Sequence, residues 1–338
     1  MPEPQTFANF GHRPLVGGFK PDMRLINPKN TPYGLPMQIQ WIYAFLRDEN
    51  GAVYAPERKF IASLTGGLFF MTDESGTLNF NPKSGKGTRG ELRRTFTDEF
   101  FRWDHPMWKR MPEGTVDPEE QGFVMEVRAD RMEYKEGNIL DLAGPNAGLG
   151  MQFYSTNPDA PLLYTSMCYW LEGEVLGKRV EGPIFFDNVF WPHGEEWKEY
   201  RYFNDLQVGW HVFANKFKDG TIEWGHQVNG RNGFNPGIVI NGDKVVAATP
   251  DLGGEYHLED KGFVTELNFD MDGHEYQFLG DEKGWMEEFS ISRSQGKNEY
   301  RAQYGETRRK DDQRELHMSC TWLECFADRI RDSGFAAE

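Results

Sequence analysis

Hydrophobic positions in this chain recur at every second residue in run after run, and no sustained three-to-four-residue period appears. Met37, Ile39, Trp41, Tyr43 and Phe45 alternate with Gln38, Gln40 and Ile42. Similar short runs follow in GLFFMTD, TLNFN, TFTDEFFRW, GFVMEVRAD, MQFYST, LLYTSMCYWLEG, PIFFDNVFW and YRYFN. A strand sends successive side chains to opposite faces, so period two predicts β-structure. Past residue 208 the pattern continues through FVTELNFDMDGHEYQFLG, MEEFSISR, EYRAQYGE and LHMSCTWLECF. Turn residues interrupt the runs about every 8 to 12 positions, the spacing of sandwiches and barrels. Only TWLECFADRIRDSGF reads as helical, which makes the fold class all-β with a short C-terminal helix.

The segment VGWHVFANKFKDGTIEWGHQV, residues 208 to 228, is the most specific of these runs. Asp219-Gly220 suits a two-residue type I′ turn, whose central residues need positive φ. Closing the hairpin on Lys218 and Thr221 would set Phe217 opposite Ile222, Asn215 opposite Trp224, Phe213 opposite His226, and His211 opposite Val228. That register puts His211 and His226 on one inward face and leaves Lys216 and Glu223 as an outward pair. A second hairpin is expected at Asp48-Glu49-Asn50-Gly51. Trp41 precedes Gly51 by ten residues, just as Trp210 precedes Gly220, and the two intervals lie 169 residues apart, half of the 338-residue chain. Two similar β domains in tandem follow from that offset. The expected division is an extended arm over 1–36, one β domain over 37–198 and a second over 199–338, joined near residues 190 to 204.

Composition narrows the function. A formal net charge of −16 disfavours nucleic acid and anionic membrane surfaces, because such partners are held by Lys and Arg clusters. The one basic run, Arg308-Arg309-Lys310, meets Asp311-Asp312 at once. No stretch approaches the roughly 18 apolar residues of a membrane span, and the start lacks a basic n-region and an apolar h-region, so a cytoplasmic protein is expected. Cys168, Cys320 and Cys325 suit neither a disulfide framework nor a zinc site, and no metal ligand set is evident. Aromatic residues make up 14% of the chain, enough to line a pocket for an apolar ligand as well as to fill cores. LAGPNAGLGMQF (142–153) and KSGKGTRGE (83–91) are glycine-rich without the spacing of a nucleotide or phosphate loop, so both are expected to be loops, and no cofactor is called for.

An all-β chain of this length with tandem Trp hairpins and a mid-chain DLQVGW segment resembles the tandem lipocalin-like superfamily: AttH-like proteins, carotenoid 1,2-hydratases, kievitone hydratase and lipocalin-like Diels-Alderases. Asp205 and Gly209 match that family's Asp-His-x-Trp-Gly segment, whereas Leu206 and Val208 depart from it. The resemblance implies two lipocalin-like (calycin) barrels or strongly curved antiparallel sheets. It also implies a cofactor-independent hydratase, isomerase or cyclase acting on an apolar terpenoid, polyketide or phenolic molecule.

Proton transfer to an alkene or beside a carbonyl needs an acid with a raised pKa, which burial among aromatic rings provides. Asp205 is the leading candidate, with His211 or His226 as relay or base. Gln207, Phe213, Asn215, Trp224, Asp187, Trp41 and Tyr43 are the expected substrate contacts. His193, Glu195 and Glu196 in FFDNVFWPHGEEW are read as loop residues, and DPEEQG (117–122) as a surface loop. The alternatives are a non-catalytic carrier of the same apolar ligand and a glycan-binding or carbohydrate-active β protein, although no acid pair at a glycosidase separation is identifiable. A homodimer is compatible with the sequence.

Overall fold

The structure, a computed structural model, describes residues 13–61, 64–80, 88–91, 93–105, 109–110, 122–192, 200–202, 206–231, 233–294 and 299–337. Among these, two curled sheets account for the architecture, as the period-two pattern predicts. The first, 16-stranded, holds the strands between Leu15 and Phe190; the second, 10-stranded, holds those from Gln207 onward. Pairing is antiparallel nearly throughout, the exception within the second sheet being Ala336–Ala337 beside Gly253–Leu258.

In the first sheet, strands Leu64–Thr72, Val53–Ile61, Met37–Ala44, Lys178–Phe190 and Leu162–Val175 lie side by side in that order. In the second, Ile222–Gly230, Gln207–Phe217, Leu316–Phe326 and Tyr300–Arg309 do the same. Each sheet curls around a core of its own. Ile42, Phe60, Trp103, Tyr134 and Phe186 fill the first, and Phe213, Phe269, Tyr276, Phe278 and Leu323 fill the second. The opposite faces meet in a third core, where Phe45, Tyr164, Trp170 and Phe185 pack with Trp210, Trp224, Tyr304 and Trp322. Such continuous burial on both faces explains why the strand Gln207–Phe217 is buried at all but one position.

The 208–228 hairpin forms, but one residue out of the expected register. Lys216 pairs with Ile222, Ala214 with Trp224, Val212 with His226 and His211 with Gln227. The turn is a three-residue loop: Phe217 N–H donates to Thr221 O, Gly220 N–H donates to Phe217 O, and Gly220 alone takes a positive φ of 87°. Asp-Gly serves this bulged turn as well as a type I′ turn, since only the glycine needs the left-handed region. The slip by one exchanges faces. His211 and Phe213 point into the core of the second sheet, while Trp224 and His226 point into the seam between the sheets. The hairpin after Trp41 closes identically, with Asp48 N–H on Ala52 O, Gly51 N–H on Asp48 O and Gly51 at φ 83°.

Other expectations are corrected locally. MEEFSISR contains an α-helix, Glu287–Ser294, which buries Phe289 and Ser290 rather than alternating as a strand. In TWLECFADRIRDSGF the strand Leu316–Phe326 takes the first part, and a 3-10 helix, Ala327–Ser333, follows it. The arm before residue 37 contributes a strand, Leu15–Phe19, paired with Gly150–Ser155. LAGPNAGLGMQF carries the ends of two strands around a four-residue connection at 146–149, in keeping with a loop. Lys216 and Glu223 are not an outward pair: Lys216 Nζ reaches Glu181 Oε2 of the first sheet at 2.5 Å, and buried Glu223 pairs with Arg314 at 2.7 Å. All three cysteines are buried free thiols. No helix among the described residues is long and apolar enough to cross a membrane.

Candidate functional site

A cavity of about 370 Å³ opens in the seam, with walls from both sheets. Cross-strand pairing sets its first wall as parallel rows of side chains. Ser166, Asp187, Trp41, Lys59 and Gly66 form one row, each opposite the next on neighbouring strands. Phe185, Tyr43, Glu57 and Leu68 form the adjacent one. Tyr43 stacks on Phe185 with centroids 5.3 Å apart, and Lys59 Nζ sits 5.5 Å from the Trp41 centroid. Gly67 makes room for the Arg58 side chain behind this wall, because a Cβ there would lie 2.3 Å from the Glu57 carbonyl oxygen and 2.5 Å from Arg58 Cδ.

The facing wall comes from the second sheet. Trp210 lies opposite Glu324, and Trp322 opposite Val212 on one side and Tyr304 on the other. The helix Glu287–Ser294 adds Phe289 and Arg293, four residues apart on one face. Tyr164, Tyr202 and Gln207 complete the lining.

Asp187 is the most perturbed acid there. Its side chain is 2% exposed and takes a hydrogen bond from Tyr164 Oη. Burial pushes its pKa from an ordinary 3.8 up to about 7, against the pull of the Ser166, Tyr164 and Tyr43 hydroxyls. Asp187 Oδ1 and Tyr43 Oη have no partner of good hydrogen-bond geometry among the described residues.

A second charged group lies elsewhere on the lining. Burial raises both Glu324 and Glu57, while Arg293 pulls each down; Tyr300 Oη donates to Glu324 Oε2. The Arg293 guanidinium lies 5.6 Å from both the Phe289 and Tyr300 ring centroids.

The expected site residues divide sharply. Trp41, Tyr43, Asp187 and Gln207 line the cavity together. Phe213 and Asn215 do not, since both face the second sheet's interior, where Asn215 Nδ2 donates to Thr307 O at 2.9 Å. Trp224 is fully buried in the seam core without lining the cavity. His211 is locked in the second sheet's core, with Nε2 2.9 Å from Thr307 Oγ1 and Nδ1 2.7 Å from Gln227 Nε2; burial lowers its pKa to about 3. His226 stands behind the cavity wall, its ring 4.1 Å from Trp210 and 5.5 Å from Tyr164 by centroid. Burial first, and His211 second, hold it well below its ordinary pKa, so it is neutral. The two histidines therefore lie on opposite faces of one sheet. Asp205, His193, Glu195 and Glu196 lie outside the described residues, as does most of DPEEQG. Among the described residues no group of three or more His, Cys, Asp or Glu side chains is arranged to hold a metal.

Glu57, Lys59, Tyr164, Arg293, Trp322 and Glu324 are lining residues that the pattern of the chain did not single out. Trp210 had a signal, its 169-residue offset from Trp41: the two tryptophans reach the same cavity from opposite sheets.

No family model matches the sequence, and no curated protein matches it. Among solved structures, the chain is similar to a "putative AttH" of Nitrosomonas europaea, at 11% identity and a TM-score of 0.47, over 86% of this chain and 92% of that one. It is also similar to kievitone hydratase of Nectria haematococca, at 8% identity and a TM-score of 0.44, over 86% and 89% of the two chains.

Proposed function

We propose that this chain is a cofactor-independent enzyme that moves a proton on an apolar small molecule held between the two sheets, with Asp187 as the acid. The observation that carries the reading is the Asp187 carboxyl itself, buried on an aromatic cavity wall with a pKa of about 7. A general acid works best when its pKa lies near the working pH, and here desolvation, not a neighbouring charge, does the tuning. Trp41, Tyr43, Tyr164 and Trp210 line the cavity with it, and electron-rich rings stabilise positive charge developing on a protonated carbon. Hydration or dehydration of a terpenoid, polyketide or phenolic skeleton fits this chemistry, and double-bond isomerisation uses the same proton.

The test is a panel of apolar alkenes, tertiary alcohols and enones incubated with the protein in D₂O and read by mass spectrometry. Gain or loss of water, or uptake of solvent deuterium, is expected for one structural class. The Asp187→Asn variant is expected to lose that turnover by about a hundredfold or more while binding the same molecule with unchanged quenching of tryptophan fluorescence. Full turnover in Asp187→Asn would remove Asp187 from the mechanism. Binding with no turnover in the parent protein would make the chain a carrier.

A further inference from the structure

The seam cavity is built from two matched units, one from each sheet. Trp41 and Trp210, 169 residues apart, stand at corresponding places after which identical turns close at Gly51 and Gly220. Directly opposite Trp41 on the neighbouring strand is Asp187, and directly opposite Trp210 is Glu324. Each acid accepts a hydrogen bond from a tyrosine, Tyr164 for Asp187 and Tyr300 for Glu324. Both acids line the same cavity, from facing sheets.

The surroundings separate the two chemically. Among the described residues, the groups that tune Asp187 are neutral: the hydroxyls of Ser166, Tyr164 and Tyr43. Glu324 has the Arg293 guanidinium close by, and the Tyr300 hydroxyl and the Trp322 ring nitrogen donate to it. A carboxyl without a cation favours its protonated form when buried, and one beside a cation keeps its charge more readily. Paired acids whose environments diverge in this way take opposite roles, one giving a proton and the other receiving one.

We infer that Glu324 is the second proton-transfer group of this site, a general base acting on the face of the substrate opposite Asp187. The inference rests on the reading of the cavity as an acid–base site. In a hydration, Asp187 gives its proton to one alkene carbon while solvent water forms the new C–O bond at the next, and Glu324 takes the proton that water loses. One water is added, Asp187 ends ionised and Glu324 protonated, and exchange with solvent resets both. Because the two acids come from facing sheets and line one cavity, a flat molecule held between those walls would have one carboxyl toward each side. Arg293 is then a positioning residue, whose charge opposes the upward push that burial gives the Glu324 carboxyl. Among the described lining residues, Glu57 and Lys59 are the other charged groups.

The probe is 5-nitrobenzisoxazole, a small planar substrate on which a base removes the C3 proton, the N–O bond breaks and the electron pair leaves on oxygen as a coloured cyanophenolate. At pH 6, where Asp187 is mostly protonated, the full-length protein is expected to open the ring faster than an equal concentration of acetate. Glu324→Gln is expected to lower kcat by about a hundredfold with KM within about threefold, and Glu324→Asp to restore part of the rate. Arg293→Met is expected to move the acid limb of the pH–rate profile upward, which loss of packing alone would not do. No rate above acetate, or a rate lost in Glu57→Gln and kept in Glu324→Gln, would overturn the inference. Where Glu324→Gln fails to fold, the Arg293→Met pH profile decides. A protein that passes the D₂O panel and fails here keeps its acid and loses its proposed base, so the two readings fail separately.

Discussion

Replacing Asp187 with Asn should make the folded protein more stable, and more so the higher the pH. The unfolded chain ionises this carboxyl near 3.8 and the folded chain near 7. Between those values the folded form holds a proton that the unfolded form has lost, so stability falls as pH rises, by about 1.4 kcal/mol per pH unit. The contribution of the neutral carboxyl is complete below 3.8 and gone above 7. Over that window the loss amounts to about 4 kcal/mol. An amide cannot ionise and still offers an oxygen to Tyr164, so the variant lacks this slope and gives up about 1 kcal/mol at most in its weaker hydrogen bond. Urea unfolding of both proteins, followed by tryptophan fluorescence from pH 4 to 8, isolates the effect, because every other ionisable group cancels in the difference. The two curves should nearly coincide at pH 4 and separate until pH 7, with the variant ahead by about 3 kcal/mol at pH 8. A difference that stays constant with pH, or that widens toward acid, would refute the claim that burial raises this carboxyl. Stability given up at one buried acid is the expected signature of a site kept for chemistry.

Two further outcomes test the architecture. His211→Ala should destabilise by about 2–4 kcal/mol in urea, since it removes the ring's hydrogen bonds with Thr307 and Gln227 and opens a void. Quenching of tryptophan fluorescence by an apolar probe should meanwhile be unchanged, because His211 faces away from the cavity; a shifted Kd would contradict the register. Glu181→Gln should cost about 1 kcal/mol at pH 7, a small figure because solvent screens the site. In the parent protein, burial pushes Glu181 up, but hydrogen bonds from His317, Lys216 and Trp170 outweigh it and hold the pKa at about 2. This contribution is present above the ordinary 4.5 and disappears as pH falls through 2, so the two proteins should converge in acid unfolding.

Much of the fold was legible because period two is a strong signal when one or both faces are buried. The strands around Trp41 and Trp210 and the glycines that close their turns could be read from spacing alone. Register could not, since Asp219-Gly220 is compatible with a two-residue and a three-residue loop, and the choice moves every side chain to the other face. That single slip explains why His211, Phe213 and Asn215 left the site. The helix of Phe289 and Arg293 hid in MEEFSISR, eight residues too short to display a helical period. Asp187 came opposite Trp41, and Glu324 opposite Trp210, only through pairing of strands more than about a hundred residues apart, information that no local window holds.

The seam position of the cavity has a consequence for the mechanics of the whole chain. Trp41, Lys59 and Asp187 come from one sheet, and Trp210, Trp322 and Glu324 from the other, so a molecule seated there is mortar between two bricks. Linkage is reciprocal: whatever free energy sheet-to-sheet docking lends to the bound molecule, the molecule returns to docking. Occupancy therefore sets how firmly the two halves are joined.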